Sequence, residues 1–94
     1  MVINHLRTPE LADKAVAEIE ASGGTARAIA GDVSSREEYQ AMVEAMLAAY
    51  GRWDILVNNA AVAITKPFPQ ITEADFDLSF AVNVKGAFDG LQLA

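Results

Sequence analysis

Short apolar runs that alternate with helical periodicity constrain this chain more than any other feature. Val2-Ile3, residues 26–30 and Ile55-Leu56-Val57 are each followed by a stretch of helical spacing, and such alternation folds as a parallel sheet with right-handed crossovers. Thr8-Pro9 opens the first helix: the hydroxyl can accept from a first-turn N–H, and proline at the first helical position gives up no hydrogen bond. Leu11, Ala15 and Ile19, with Ala12 and Val16 beside them, form an apolar stripe, and Gly23-Gly24 end the helix after Ser22. Residues 26–30 read as a strand because they lie between two helices. Ser34/Glu37 and Ser35/Glu38 both have capping-box spacing ahead of Tyr39, Met42, Val43, Met46, Leu47 and Tyr50, which recur at helical spacing until Gly51.

The third run, Trp53-Asp54-Ile55-Leu56-Val57, lies between Gly51 and the paired amides Asn58-Asn59. It reads as a buried strand that stops at a polar, ligand-facing end, since open parallel sheets bind ligands beyond the carboxyl ends of their strands. Residues 60–71 carry Pro67 and Pro69 without a period and read as a loop. Thr72 with Asp75 starts a last helix whose inner face would carry Phe76, Phe80, Val84, Ala87, Phe88 and Leu91, with Asn83 on the same face. The chain itself is expected to start mid-fold, because Val2-Ile3 look like the end of a strand that leads straight into a polar turn over His5 to Thr8.

Ninety-four residues allow one small domain, less chain than a complete α/β enzyme normally uses. At 52% hydrophobic the chain should bury a core, and a net charge of −6 disfavours nucleic acid and anionic membrane surfaces as partners. Without cysteine it has neither thiolate chemistry nor a cysteine-type zinc site. No apolar run approaches the roughly 18 residues of a membrane span and no signal peptide is evident, so a cytoplasmic location is expected.

Asp54-Ile55-Leu56-Val57-Asn58-Asn59-Ala60-Ala61 resembles the D-I-L-V-N-N-A-G signature of the short-chain dehydrogenase/reductase family. Asp32-Val33 matches the D-V position of that family, and Ala81-Val82-Asn83-Val84-Lys85-Gly86 resembles its helix asparagine segment. The resemblance implies an α/β fold, a partial Rossmann-type doubly wound parallel sheet with strands 2 to 4 and their helices, and makes residues 1–94 part of a single NAD(P)-binding domain. It implies that Asp32 accepts from the adenine amino group with Val33 against the ring. Asn59, Ala60 and Ala61 would lie by the cofactor, Asn59 near the ribose, while Asn58 would hold the central sheet together. Asn83 would be the one catalytic residue present, bending its helix, holding a water and connecting it to a lysine. On structural grounds alone, Asp32 could cap the next helix and Asn83 could be a satisfied core amide. Ala61 replaces the usual glycine, which costs roughly 1 kcal/mol or more if its φ is positive and little otherwise. His5 reads as a turn residue.

No Gly-x-x-x-Gly-x-Gly loop is present and neither Tyr39 nor Tyr50 is followed four residues later by lysine, so the family's serine, tyrosine and lysine are missing. The expectation is a segment of an oxidoreductase moving hydride between a nicotinamide and a carbonyl or alcohol substrate, inactive as the isolated chain. NADP is favoured over NAD because Arg7 stands where a carboxylate would chelate the ribose of NAD. The alternative is a non-enzymatic module acting through helix packing, since residues 72–94 resemble the family's subunit interface; a homo-oligomer is expected on either reading. A receiver-like domain would need clustered acids at strand ends and has only Asp32. In the strand order 3-2-1-4-5-6, a gap should separate the Val2-Ile3 strand from Ile55-Leu56-Val57.

Overall fold

The computed structural model describes all of residues 1–94. Strand β1 (Val2–His5) leads through helix α1 (Pro9–Ala21) to β2 (Arg27–Ala30), which pairs with β1 in parallel, Val2 opposite Arg27 and His5 opposite Ala30. Helix α2 (Arg36–Tyr50) follows, then an extended segment, a 3₁₀ turn at Phe68–Gln70, helix α3 (Glu73–Phe80), a π-helical stretch at Ala81–Lys85 and helix α4 (Gly86–Leu93).

The first half follows its sequence signals with local departures. Thr8 makes no cap bond, because its ψ of 60° departs from the extended backbone typical of a cap. Gly23, at φ 89°, lets the chain turn so that the Gly24 N–H reaches the Ile19 carbonyl at 3.0 Å. Leu11 is exposed while Ala12 is buried, so the stripe facing the sheet is centred one residue further on than its sequence spacing suggested. His5 is the last residue of β1 rather than a turn residue. Ser35 accepts from the Glu38 N–H at 3.3 Å, but the Glu38 carboxylate accepts from the Asp32 N–H instead of closing the box on Ser35. Helix α2 ends at Gly51, φ 75°. Its Tyr39, Met42 and Val43 form the buried core, with Ile29, Val33, Met46, Trp53 and Leu93 packed around them.

The second half corrects two expectations. Residues 53–57 form no strand, and Ile55 and Val57 are 79% and 76% exposed. An apolar run becomes a buried strand only where neighbours pair its backbone and cover its faces, and the sheet consists of β1 and β2 alone. The implied set of strands 2 to 4 is therefore realised as two strands and an extended, unpaired third segment. The expected gap is present: a trough of about 970 Å³ is bounded by residues 1–4 on one side and 52–60 on the other.

The inner face of the last helices is also not the aromatic one. Phe76, Phe80, Val84, Phe88 and Leu91 are all exposed, with Phe76 and Phe80 stacked at 4.5 Å. Gly86, Asp89 and Gly90 are buried instead. Close approach selects them: a Cβ on Gly86 would lie 3.1 Å from the Val33 carbonyl oxygen, and one on Gly90 would collide with the Tyr39 hydroxyl. Asp89 receives Arg36 of α2 at 2.6 Å and Lys85 at 2.8 Å, so the helix pair is pinned by charge as well as by shape. These bonds, Lys85 first, hold the Asp89 carboxyl below its ordinary range against the opposing effect of burial. No helix is long and apolar enough to cross a membrane.

Candidate functional site

Beyond the carboxyl ends of β1 and β2 lies a cleft of about 210 Å³, and Asp32, Val33, Ala60 and Ala61 all line it, together with His5 and Leu6. Parallel pairing makes this convergence local. Both strands end at one edge, so the residues after β1 and after β2 become neighbours, and the segment that follows α2 passes the same edge.

Asp32 is held by its own turn. Ser34 donates its hydroxyl to Oδ1 at 2.6 Å and its N–H to the same oxygen at 2.8 Å. The Ser34 hydroxyl, then its N–H, and more weakly the charge of Arg7 lower the carboxyl's pKa, outweighing partial burial. Asp32 therefore stays ionised, its Oδ1 engaged and its Oδ2 without a protein donor. Arg7 is exposed and forms no ion pair, so a guanidinium stands free at the end of β1. His5 contributes a buried Nδ1 that has no hydrogen-bond partner. The Asp-x-Ser spacing was a sequence signal for the turn that fixes Asp32.

Ala61 fits without strain, since no non-glycine residue in the chain has a positive φ. Asn59 faces the trough rather than the cleft, and its N–H donates to the Val57 carbonyl at 3.1 Å. Asn58 places its Oδ1 close to Gly90, 3.3 Å from where a Cβ would stand. Asn83 is not in the cleft and is not a core amide: it is exposed, within the π-helical stretch, and its side chain clamps the main chain of Val62. The Val62 N–H donates to Oδ1 at 2.8 Å, and Nδ2 donates to the Val62 carbonyl at 2.9 Å. One lone pair and one N–H of the amide remain for a further partner. A single irregular turn inside a helix is a frequent mark of a functional position. Val62 was not singled out by sequence, and nothing in its own residue type signals the clamp.

This edge of the chain thus presents a carboxylate with an open oxygen, a valine beside it and an unpaired guanidinium. Donors for a pyrophosphate are not among them.

A family model described as short chain dehydrogenase matches residues 1–94. Elsinochrome reductase 1 of Elsinoe fawcettii is 34% identical over 88 residues, covering 94% of this chain and 33% of that protein. The crystal structure of a short chain dehydrogenase from Burkholderia cenocepacia in complex with NADP superposes with a TM-score of 0.93 at 33% identity, over 99% of this chain and 38% of that one. A blue fluorescent protein from a metagenomic library, in complex with NADPH, superposes with a TM-score of 0.88 at 29% identity, over 99% of this chain and 38% of its own. The chain belongs to the short chain dehydrogenase family, and it spans roughly a third of the length of these relatives.

Proposed function

We propose that residues 1–94 are the adenosine-binding part of a single NAD(P)-dependent oxidoreductase domain. In the whole domain the cofactor supplies the hydride that passes between its nicotinamide and a carbonyl or alcohol substrate. The observation that carries this reading is the cleft at the strand ends, where Asp32, Val33, Ala60 and Ala61 converge beside the unpaired Arg7. Asp32 Oδ2 would accept from the adenine amino group, Val33 would lie against the ring, Asn59 would stand near the ribose and Arg7 would meet a 2′-phosphate. NADP is favoured over NAD on that last pairing, and the NADP and NADPH complexes of similar structures support it. Asn83 would hold a water with the donor and acceptor that Val62 leaves free.

The isolated chain would turn over no substrate, because the pyrophosphate loop and the Tyr-x-x-x-Lys segment are not among its residues. The test is a chimera in which residues 1–94 replace the matching third of an NADP-binding relative. Arg7→Asp should weaken NADPH binding about tenfold or more, the scale of one lost charge-assisted contact, and change NADH binding much less; equal losses for both cofactors would remove the NADP assignment.

A second reading rests on the exposed stripe of Phe76, Phe80, Val84, Phe88 and Leu91. Such a patch on a soluble chain marks a surface that pairs, and it would make a homo-oligomer or a non-enzymatic packing module of this chain. Sedimentation of Phe80→Glu against the parent chain tests it: a shift to monomer supports the interface, and an unchanged distribution removes it.

A further inference from the structure

Asp32 is fixed by side chains from two other elements as well as by Ser34. The Gly31–Asp32 peptide is gripped at both ends: Asn4 Nδ2 of β1 donates to the Gly31 carbonyl at 2.9 Å, and the Asp32 N–H donates to Glu38 Oε2 of α2 at 2.8 Å. Asn4 Nδ2 also lies 3.4 Å from the Ile29 carbonyl, so one side chain of β1 reaches from the β2 ladder to the residue beyond it. Glu38 gives up a local role for this bond. At its spacing it would close a capping box on the Ser35 N–H, but that N–H donates to the Asp32 carbonyl at 3.0 Å. The exchange leaves both main-chain polar groups of Asp32 engaged, while Ser34 occupies Oδ1. Oδ2 is the one polar atom of Asp32 left open. A local signal that yields to a longer-range bond is expected where function sets the geometry.

We propose that Asn4 and Glu38 are positioning residues for adenine recognition: together they set the plane of the Gly31–Asp32 peptide, and with it the direction in which Asp32 offers Oδ2 to the amino group of the base. The inference rests on the cofactor reading of Asp32 given above. Its physical link is rigidity. A peptide unit is planar, so holding its carbonyl and its N–H fixes the plane on one side of the Asp32 Cα, and the Ser35 N–H to Asp32 carbonyl bond holds the plane on the other. With both planes held, the Asp32 side chain leaves the backbone in one direction, which is what a single directional contact to a base requires. Neither Asn4 nor Glu38 needs to touch the nucleotide. Glu38 acts through its acceptor oxygen and not through its charge, which separates this role from the general benefit of an acid in the first turn of α2.

The test titrates the 94-residue chain with adenosine 2′-monophosphate and with purine riboside 2′-monophosphate, which lacks only the amino group, and follows amide shifts by NMR. The parent chain should bind the adenosine form about tenfold more tightly, the scale of one hydrogen bond to a charged acceptor. In Glu38→Ala and Asn4→Ala that preference should fall to about threefold or less, while affinity for the purine form changes by less than about twofold. Glu38→Gln keeps an acceptor oxygen without the charge and should restore the parent's preference. Amide exchange reports the state of each variant: the Asp32 N–H should exchange faster in Glu38→Ala, with the β1 and β2 ladder unchanged. If Asn4→Ala loses protection of that ladder, the Glu38 variants decide alone. The inference is overturned if the preference survives in Glu38→Ala, if both nucleotides lose affinity equally, or if Glu38→Gln behaves as Glu38→Ala does; each of these leaves the adenine role of Asp32 standing. A parent chain with no preference between the two, or with no saturable shift at millimolar nucleotide, contradicts the adenine role itself and removes the inference with it.

Discussion

Residues 1–51 and residues 52–94 both carry apolar patterns, yet only the first set forms a sheet and supplies the buried apolar side chains. Ala28 and Ile29, in a four-residue strand with only a weak apolar pattern, are half-buried because β1 lies alongside, α2 packs on Ile29 and α1 also contacts the strand. Ile55 and Val57, in the stronger apolar run, are largely exposed because their backbone finds no partner. Burial therefore belongs to the arrangement and not to the run itself. The second region is tied to the first through a few specific contacts: Asp89 with Arg36, Gly90 against Tyr39, and Gly86 against Val33.

That contrast can be broken by matched substitutions. Met42→Ala removes a buried side chain from the core and should cost about 2–4 kcal/mol of unfolding free energy, whereas Ile55→Ala, at a 79% exposed position, should cost under about 0.5 kcal/mol. Urea denaturation of the two variants reads the difference, and similar losses would mean that residues 53–57 are as well packed as α2. Gly90→Val tests the joint between the regions: crowding against Tyr39 and Asn58 should cost about 1–3 kcal/mol, measurable in the same way.

A smaller effect is expected from Asn83→Ala. Losing the two bonds to Val62 should cost about 0.5–1.5 kcal/mol, because the freed Val62 groups lie near solvent; faster amide exchange at Val62, with β1 and β2 unchanged, would identify the loss as local. The smallest effect is acidic. Lys66 first, then the Thr72 N–H, lower the Asp75 carboxyl from 3.8 to about 2. A pKa lower in the folded state gives stability that is present above about 3.8 and lost as pH falls toward 2. Asp75→Asn should thus flatten the fall in melting temperature between those pH values; an unchanged acid limb would show that the cap at α3 contributes nothing to it.

Legibility in the sequence followed the range of the forces involved. Local devices could be read directly: the Gly51 stop, the Thr72/Asp75 capping box and the alternation that pairs β1 with β2. The cleft was legible in part: Asp32 was placed after a strand that forms, and Ala60-Ala61 reach the same edge although the run before them forms no strand. What failed depended on distant neighbours. The aromatic stripe of α3 and α4 was the natural inner face by hydrophobicity, but the available neighbour is α2, and its close approach selects Gly86, Asp89 and Gly90. The Asn83 clamp was likewise hidden, because Val62 is recruited through its backbone and leaves no mark in side-chain pattern.

Hydrogen exchange on the isolated chain tests the central contrast most directly. Amides bonded across β1 and β2 should exchange slowly, while those of Ile55, Leu56 and Val57 should exchange at nearly the rate of unstructured peptide. Protection of residues 55–57 matching that of the β1 and β2 ladder, in the chain alone and monomeric, would contradict it.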